Sequence, residues 1–585
     1  MATTAVTRRR TPGVYIEELD AFPPSIIGVP TAIPAFIGYT EKAEIGKKPI
    51  LNKPVKIGSM VDFEAIFGKN YDGVYDLTEV DVDTAQKNGQ YDFSVTSWTF
   101  VPASVGPPPI PAHWTKDLAP KYFSLTQSTP AFAFNLYNSM RLFYANGGGT
   151  CYVVSVGLYE KVDENGIKTT NPIDKDELLA GLAAIKEQAG PTMLVVPDAV
   201  LLPPTDKTKD ALLSKDFTDV VTEMLKQCHA LQDRVAILDV YATALIGTTQ
   251  KVKNTDDIVT LADVIAAFRS EVNAKPDVHL NYGMAYFPFP VTSVLSTADF
   301  DYTSLTPIVV ADPTKPDLTK ILTWRAVTLY GTEETYGSIL EGRGATIKNE
   351  YIDKMETTAK SGDLLQIQAL NQNLAAALPL LNDMFNVLVK KNDVLPPSAG
   401  IAGVITAVDN NQGVWNAPAN VTMSAVTQTT LKLNNEQQGD LNVPIDGKAI
   451  NALREFPDRG TVVWGARTLD GNSNDWRYIQ VRRTLIYIEQ SIKAALNKFV
   501  FAPNDANTWV KATAMVSAFL TQLWSQGGLM GAKASEAFTV QCGLGSTMTA
   551  QDILDGYMIV QITVQMIRPA EFIVLTFKQK MEGIS

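Results

Sequence analysis

From Phe132 onward the chain repeats one pattern: a helix with an apolar face, a glycine or polar stop, then a short strand apolar on both sides. In "FAFNLYNSMRLFYANGGGTCYVVSVG" the helix gives way at the glycines to a strand. The order recurs with a helix near 176–189 before "PTMLVVPD", the helix "DVVTEMLKQCHAL" before "DRVAILDV", and a helix near 260–272 before "LNYGMAYFPFP". Strands without polar alternation, separated by helices, predict a mostly parallel sheet covered on both faces, an α/β domain. Upstream, "KPVKIGSMVDFEAIFG", residues 53–68, predicts a short strand and an amphipathic helix closed by Gly68. Residues 69 to about 128 are polar and proline-rich and read as an irregular peripheral insertion. A helical stretch follows near 361–391, and the loop-rich residues 396–420 mark a boundary.

Past that boundary the pattern becomes α+β. In "NDWRYIQVRRTLIYIEQSIKAALNKFVF" the positions Tyr478, Val481, Leu485, Ile488, Ile492 and Phe499 recur mostly at three or four residues and form one apolar helical face. Arg482, Arg483, Lys493 and Lys498 fall largely off it. A second helix carries Trp509, Val516, Phe519, Leu520 and Leu523 on one side, with Asn504 or Asp505 to cap its start and Gly527 and Gly528 to end it. Two strands close the chain, "MIVQITVQMI" at 558–567 and "EFIVLTFKQ" at 571–579. The chain also begins with strand. In "TPGVYIEELD", residues 11–20, Val14, Ile16 and Glu18 point one way and Tyr15, Glu17 and Leu19 the other. Pro23 and Pro24 prevent a tight hairpin, so this strand needs a partner elsewhere. The reading is an extended arm over 1–40 with a hinge near 21–34, an α/β domain over 41–395, and an α+β domain over 396–585.

Composition bounds the classes of function. With 585 residues, 45% hydrophobic and 19% charged, the chain has material for several cores. No run of eighteen apolar residues occurs, so no membrane insertion is expected, and "TRRRT" lacks the apolar segment of a signal peptide. A net charge of −12 argues against nucleic acid as a partner. From Ile445 onward, 14 Lys and Arg face 12 Asp and Glu, a balance of +2. The preceding residues hold 36 against 50, or −14, so the last quarter is suited to an acidic surface.

Signals for catalysis are poor. His113, His229 and His279 form no HExxH pattern, and Cys151, Cys228 and Cys542 lack metal-ligand spacing and read as buried small hydrophobes. "NGGGTC" precedes a strand and lacks the GK[ST] ending of a phosphate loop, so it is a turn. GxSxG is absent. Asp198 in "VVPD" stands at a strand's carboxyl end, where α/β enzymes often place active residues. A turn-forming aspartate is the preferred reading, and a hydrolase-like enzyme built on Asp198 is the rival. No catalytic, cofactor or metal residue is assigned.

A resemblance adds what composition cannot. "TPGVYIEEL", "IPAFIGYTEKA", "NGGGTCYVV", "DRVAILDV", "PPSAGIAGV", "GVWNAPAN" and "FPDRGTVVWGARTL", followed by "FVFAPNDANTWV", "GLMGAKASEAFTV" and "RPAEFIVLTF", resemble in order the contractile tail sheath family of phage tails, R-type pyocins and extracellular contractile injection systems. The resemblance implies a structural subunit with no cofactor. It implies a tube-proximal α+β domain whose small mixed sheet is completed by neighbours' terminal strands, and an inserted outer α/β domain. It implies a homo-oligomer of sixfold rings or a six-start helix around an inner tube protein, with baseplate and terminal cap proteins and, in some systems, sheath paralogues. Assembly would occur in the bacterial cytoplasm as part of a tail-like particle, an extracellular injection system in preference to a phage tail. The strand-exchange residues expected on this basis are Val14, Tyr15, Ile16, Glu17, Glu18 and Leu19 in the arm. At the other end they are Ile562, Val564, Phe572, Val574, Leu575 and Phe577. Arg482, Arg483, Lys493, Lys498 and Lys511 are expected to face the tube. Asn411 and Gln412 stand where many relatives carry a charged residue before "GVW", so no inter-subunit ion pair is assigned there.

Overall fold

A computed structural model of the chain describes residues 26–575, apart from 72, 83, 86–90, 102–112, 128–133, 163–167, 206–213, 242–251, 255–256, 310–316 and 331–341. The chain divides into a small unit, residues 1–29 with 484–585, and a large one, residues 30–483.

The large unit is organised by a nine-stranded sheet among the described residues. Its strands are β1 (Pro34–Thr40), β2 (Val55–Ile57), β3 (Cys151–Leu158), β4 (Met193–Val195), β5 (Val235–Asp239), β6 (Gly283–Phe287), β7 (Val421–Thr422), β8 (Ile450–Phe456) and β9 (Gly460–Trp464). Their order is β7-β9-β8-β6-β5-β4-β1-β3-β2. The six strands from β8 to β3 run parallel, and antiparallel strands finish both ends. Helices α1 (Leu136–Ala145), α2 (Lys175–Lys186), α3 (Lys215–Leu231), α4 (Leu261–Glu271) and α5 (Ser398–Gln412) accompany them. Both faces of β1 are covered, and all seven of its residues are buried. Phe36 meets Phe143 of α1 at 5.0 Å, while its neighbour Ile37 packs against Gly181 of α2, where a Cβ would lie 2.6 Å from the Ile37 Cγ2. This is why the strands read as unbroken apolar runs.

Three boundaries differ from expectation. Strand β1 lies inside the parallel sheet and is not part of an arm; "PAFIGYT" has the same two-sided apolar character as the other central strands. Helix α5 and the β8–β9 hairpin also belong to the large unit, not to the C-terminal domain. The described residues between 75 and 127 are mostly strand, not irregular. Tyr75–Val80, Phe93–Val101 and His113–Gln127 form an antiparallel sheet with Leu305–Thr306 added parallel at its edge. Phe123, Leu125, Tyr75 and Leu77 share a core with Leu322, Leu374, Leu381 and Phe385 from the helices Leu318–Tyr330, Leu364–Ala377 and Pro379–Asn392. The polar positions between the apolar ones are mostly Ser and Thr, which suit the outer face of a strand as readily as a loop.

The buried carboxylates of the large unit are structural. Asp198 accepts from the backbone N–H of Tyr39 at 2.8 Å and of Asn135 at 2.6 Å, tying β1 to the start of α1. Burial pushes its pKa up to about 6. With its oxygens facing backbone donors and sealed from solvent, it is a brace more than the turn residue read from "VVPD". Asp239, at the end of β5, accepts from the Ser398 N–H at 2.8 Å and the Ser398 Oγ at 2.6 Å, and burial pushes it up to about 7. His229 and His279, distant in sequence, stack with ring centroids 3.7 Å apart. Among the described residues no group of three or more His, Cys, Asp or Glu is placed to hold a metal ion. Cys151 and Cys228 are buried, and burial raises both thiols, Cys151 to about 12.

Candidate assembly interface

The small unit is built on two helices, α6 (Ile479–Leu496, from Thr484 onward) and α7 (Ala506–Ser525). Asp505 rather than Asn504 caps α7, its carboxylate accepting from the Thr508 N–H at 2.9 Å. Gly527 follows the helix with φ +82°, a left-handed turn that glycine adopts without strain. Downstream, β10 (Phe538–Gln541) pairs antiparallel with β11 (Gln561–Val564), Val540 opposite Ile562 and Phe538 opposite Val564. Strand β10 had no counterpart in the sequence reading, and "MIVQITVQMI" contributes four residues of strand where ten were expected.

This sheet has two strands among the described residues. Along β10 and β11 the residues alternate between half-buried and exposed, with Phe538, Val540, Ile562 and Val564 on the covered side. Ile562 and Val564 line one wall of a groove of about 1000 Å³. Leu485, Ile488, Ile492 and Leu496 of α6 line the same groove, with Phe499. Two strands are marginal alone and need added strands or helices to persist. A groove lined by a strand and an apolar helical face has the shape into which a further strand fits.

Residues 572–575, expected to be strand, pair with no strand among the described residues. Phe572, Ile573, Val574 and Leu575 are all exposed, at 71–87%. Four consecutive exposed apolar residues are the mark of an interaction segment in a folded protein. Val14, Tyr15, Ile16, Glu17, Glu18, Leu19 and Phe577 lie outside the described residues.

The five expected tube-facing cations separate into two groups. Lys493, Lys498 and Lys511 are exposed. Arg482 and Arg483 are not. Arg483 in the large unit is 4% exposed and makes a bidentate pair with Asp409 of α5, at 2.6 and 2.8 Å, while also donating to the Thr31 carbonyl at 3.0 Å. Arg482 is buried, its guanidinium 4.7 Å from the rings of both Tyr282 and Trp476. The stripe argument fails here because residues 479–484 are buried all round, so lying off the apolar face does not mean facing solvent. One conspicuous surface residue escaped the sequence reading. Phe501, between α6 and α7, is fully exposed and held at φ +65°, a conformation uncommon for an aromatic residue.

Comparison with known proteins gives consistent results. Residues 344–469 match the family model of the phage tail sheath protein central domain, and residues 472–580 match that of the phage tail sheath C-terminal domain. No curated protein sequence matches the chain. Among solved structures, the contracted sheath complex of an extracellular contractile injection system, PVC, aligns over 98% of this chain and 99% of its own, with 23% identity and a TM-score of 0.52. The contracted baseplate structure of the anti-feeding prophage aligns over 97% and 99%, with 21% identity and a TM-score of 0.50. A sixfold-symmetrised baseplate structure of the same particle aligns over 98% and 100%, with 25% identity and a TM-score of 0.49.

Proposed function

We propose that this chain, which belongs to the contractile tail sheath family and is a structural sheath subunit, polymerises helically around an inner tube and contracts to drive that tube through a target membrane. The particle is an extracellular contractile injection system, in keeping with the PVC sheath complex that shares its fold. Its partners are further copies of itself, the tube, and the baseplate and cap proteins that terminate the polymer.

The observation that carries this reading is the two-stranded sheet of the small unit. Strand β11 lines an apolar groove, and apolar residues 572–575 are exposed and pair with no strand among the described residues. A strand added at a sheet edge gains backbone hydrogen bonds for affinity and alternating side-chain pockets for register. The arm residues 14–19 supply such a strand. Links of this kind between identical copies are heterologous and extend into helical polymers. A ladder of backbone bonds also survives while flatter surfaces slide, as contraction between two packings of the same folded units requires. Exposed Lys493, Lys498 and Lys511 are the remaining candidates for contact with an acidic tube. Single exposed pairs are worth about 0–1 kcal/mol, which suits a surface that must release.

Deleting residues 1–20 tests the reading. The truncated chain should fold as a monomer and fail to form striated hollow tubes under negative-stain microscopy, whereas the full chain forms them. Tubes from the truncated chain would refute it.

A further inference from the structure

Two of the chain's three histidines are stacked on each other in the large unit. His229 lies in the last turn of α3, and His279 precedes the short helix Leu280–Tyr282 that leads into β6. Their ring planes are 8° apart, and Tyr282 meets His229 at 65° with ring centroids 5.9 Å apart. A tight turn positions His279, with Lys275 and Val278 exchanging backbone hydrogen bonds of 3.1 and 3.0 Å. The pair therefore fastens the end of α3 to the entry of β6.

The surroundings suit uncharged rings. The Nδ1 of His229 is buried and meets no hydrogen-bond partner among the described residues, so a proton added there is a donor without an acceptor. The last turn of a helix ordinarily favours a cation. Here burial, and after it His279, hold the His229 imidazole below its ordinary range, against the opposing pull of Asp277. The carboxylates within reach are poorly placed to neutralise a charged stack. Asp277 is paired with Lys226 at 3.1 Å. Asp470, which His279 influences, is pushed up by burial and so loses its charge early as pH falls. The other charged groups around the pair are Glu223 beside Lys226 on α3, Lys275 in the turn, and Arg482, 4.7 Å from the Tyr282 ring.

We propose that His229 and His279 form an acid-released latch: with at most one proton between them the stack holds, and with two it parts, freeing the end of α3 from the entry of β6. Two positive rings with centroids 3.7 Å apart lie well inside the distance of about 4–6 Å at which like charges oppose each other. Folding lowers the His229 pKa, so the stability that the stack contributes is complete above the unfolded value of about 6.5 and is lost as pH falls below it. Asp198 and Asp239 run the other way, since their raised carboxyls favour the fold in acid. Acid thus loosens the latch while it strengthens those two braces, and the opening is local. The latch acts within one subunit and does not depend on assembly.

Amide hydrogen exchange on the unassembled full-length chain is the test. The Tyr282 and Gln232 amides donate to the His279 and Cys228 carbonyls at 3.2 and 2.9 Å and report on the two sides of the latch. Corrected for the intrinsic effect of pH on exchange, their opening should rise between about pH 7.5 and about pH 5. The rise should be about tenfold for each unit by which folding lowers the His229 pKa. His229→Phe keeps a ring in the stack that takes no proton, and it should abolish the rise at both amides. An equal rise in His229→Phe, or no rise in the unaltered chain, would overturn the latch. A second measurement does not depend on that variant. With only three histidines in the chain, the His229 imidazole can be followed by NMR, and in His279→Gln its titration midpoint should move up. An unmoved midpoint would show that the charge on His279 does not reach His229, and would overturn the pairing.

Discussion

Replacing Asp409 by Ala should destabilise the large unit severely, although neither Asp409 nor its partner touches the surface. The side chains of Arg483 and Asp409 are 4% and 2% exposed, and they meet through two hydrogen bonds of 2.6 and 2.8 Å. Asp409→Ala leaves the guanidinium enclosed, with the Thr31 carbonyl at 3.0 Å as its remaining hydrogen-bond acceptor among the described residues. Breaking one side of a buried pair costs about 3–5 kcal/mol, because the remaining charge has neither water nor a counter-ion. At about 2 °C per kcal/mol for a large unit, its calorimetric transition should fall by roughly 6–10 °C. The double variant Asp409→Ala/Arg483→Met removes both charges and should recover most of that loss, since apolar replacement of a whole buried pair is commonly neutral or stabilising. Scanning calorimetry of unassembled protein measures both. A shift below about 2 °C for Asp409→Ala would refute the enclosure of Arg483 and return it to the set of surface cations available to a partner.

Three further outcomes follow from the geometry. Reversing Lys493, Lys498 and Lys511 to Glu should leave the unfolding free energy within about 1 kcal/mol of the starting protein yet prevent extended sheaths from forming on tubes, and normal extended sheaths on micrographs would remove those lysines from tube contact. Ile562→Lys puts a charge on the groove wall; the monomer should still fold, because the side chain is only half-buried, while sedimentation should find the protein in the supernatant, not in the polymer pellet. Because burial raises Asp239 to about 7 in the folded chain from an unfolded value of about 3.9, its proton favours the fold below pH 4 and that contribution is lost as pH rises through 7. Urea midpoints should therefore fall between pH 5 and pH 8, by on the order of 1–3 kcal/mol in free energy, and Asp239→Asn should flatten that slope; an unchanged slope would count against the assignment.

The parallel sheet was readable because each of its inner strands carries the signature of two-sided burial. "CYVVSVG", "MLVV" and "VAILD" have no polar alternation and stand behind helices with recognisable caps, such as Asp174 on α2 and Ser214 on α3. "PAFIGYT" carries the same signature, but its place beside four prolines drew it into the arm. The inserted sheet is hidden in a segment that its polar and proline-rich composition marks as irregular, although Phe93 and Val95, like Phe123 and Leu125, keep a period of two. At the interface, the apolar stripe of α6 located the groove wall. It misplaced Arg482 and Arg483 because periodicity along one helix carries no information about what covers its other faces. Strand β10 and the stacking of His229 on His279 arise from residues far apart in sequence, and no local pattern announces them.

The two sheets end very differently. The nine-stranded sheet finishes in β2, three residues long, and β7, two residues long, so its borders offer almost no row of free backbone groups to a stray chain. In the pair β10–β11 each strand is four residues long and each is an end strand among the described residues. Proteins with unguarded strand edges tend to aggregate, and short terminal strands are one of the ways in which they avoid it. A chain made in many copies at high local concentration meets that hazard continually. The two- and three-residue end strands limit that hazard at the borders of the nine-stranded sheet, and the four-residue strands β10 and β11 leave an edge that a six-residue segment is long enough to cover.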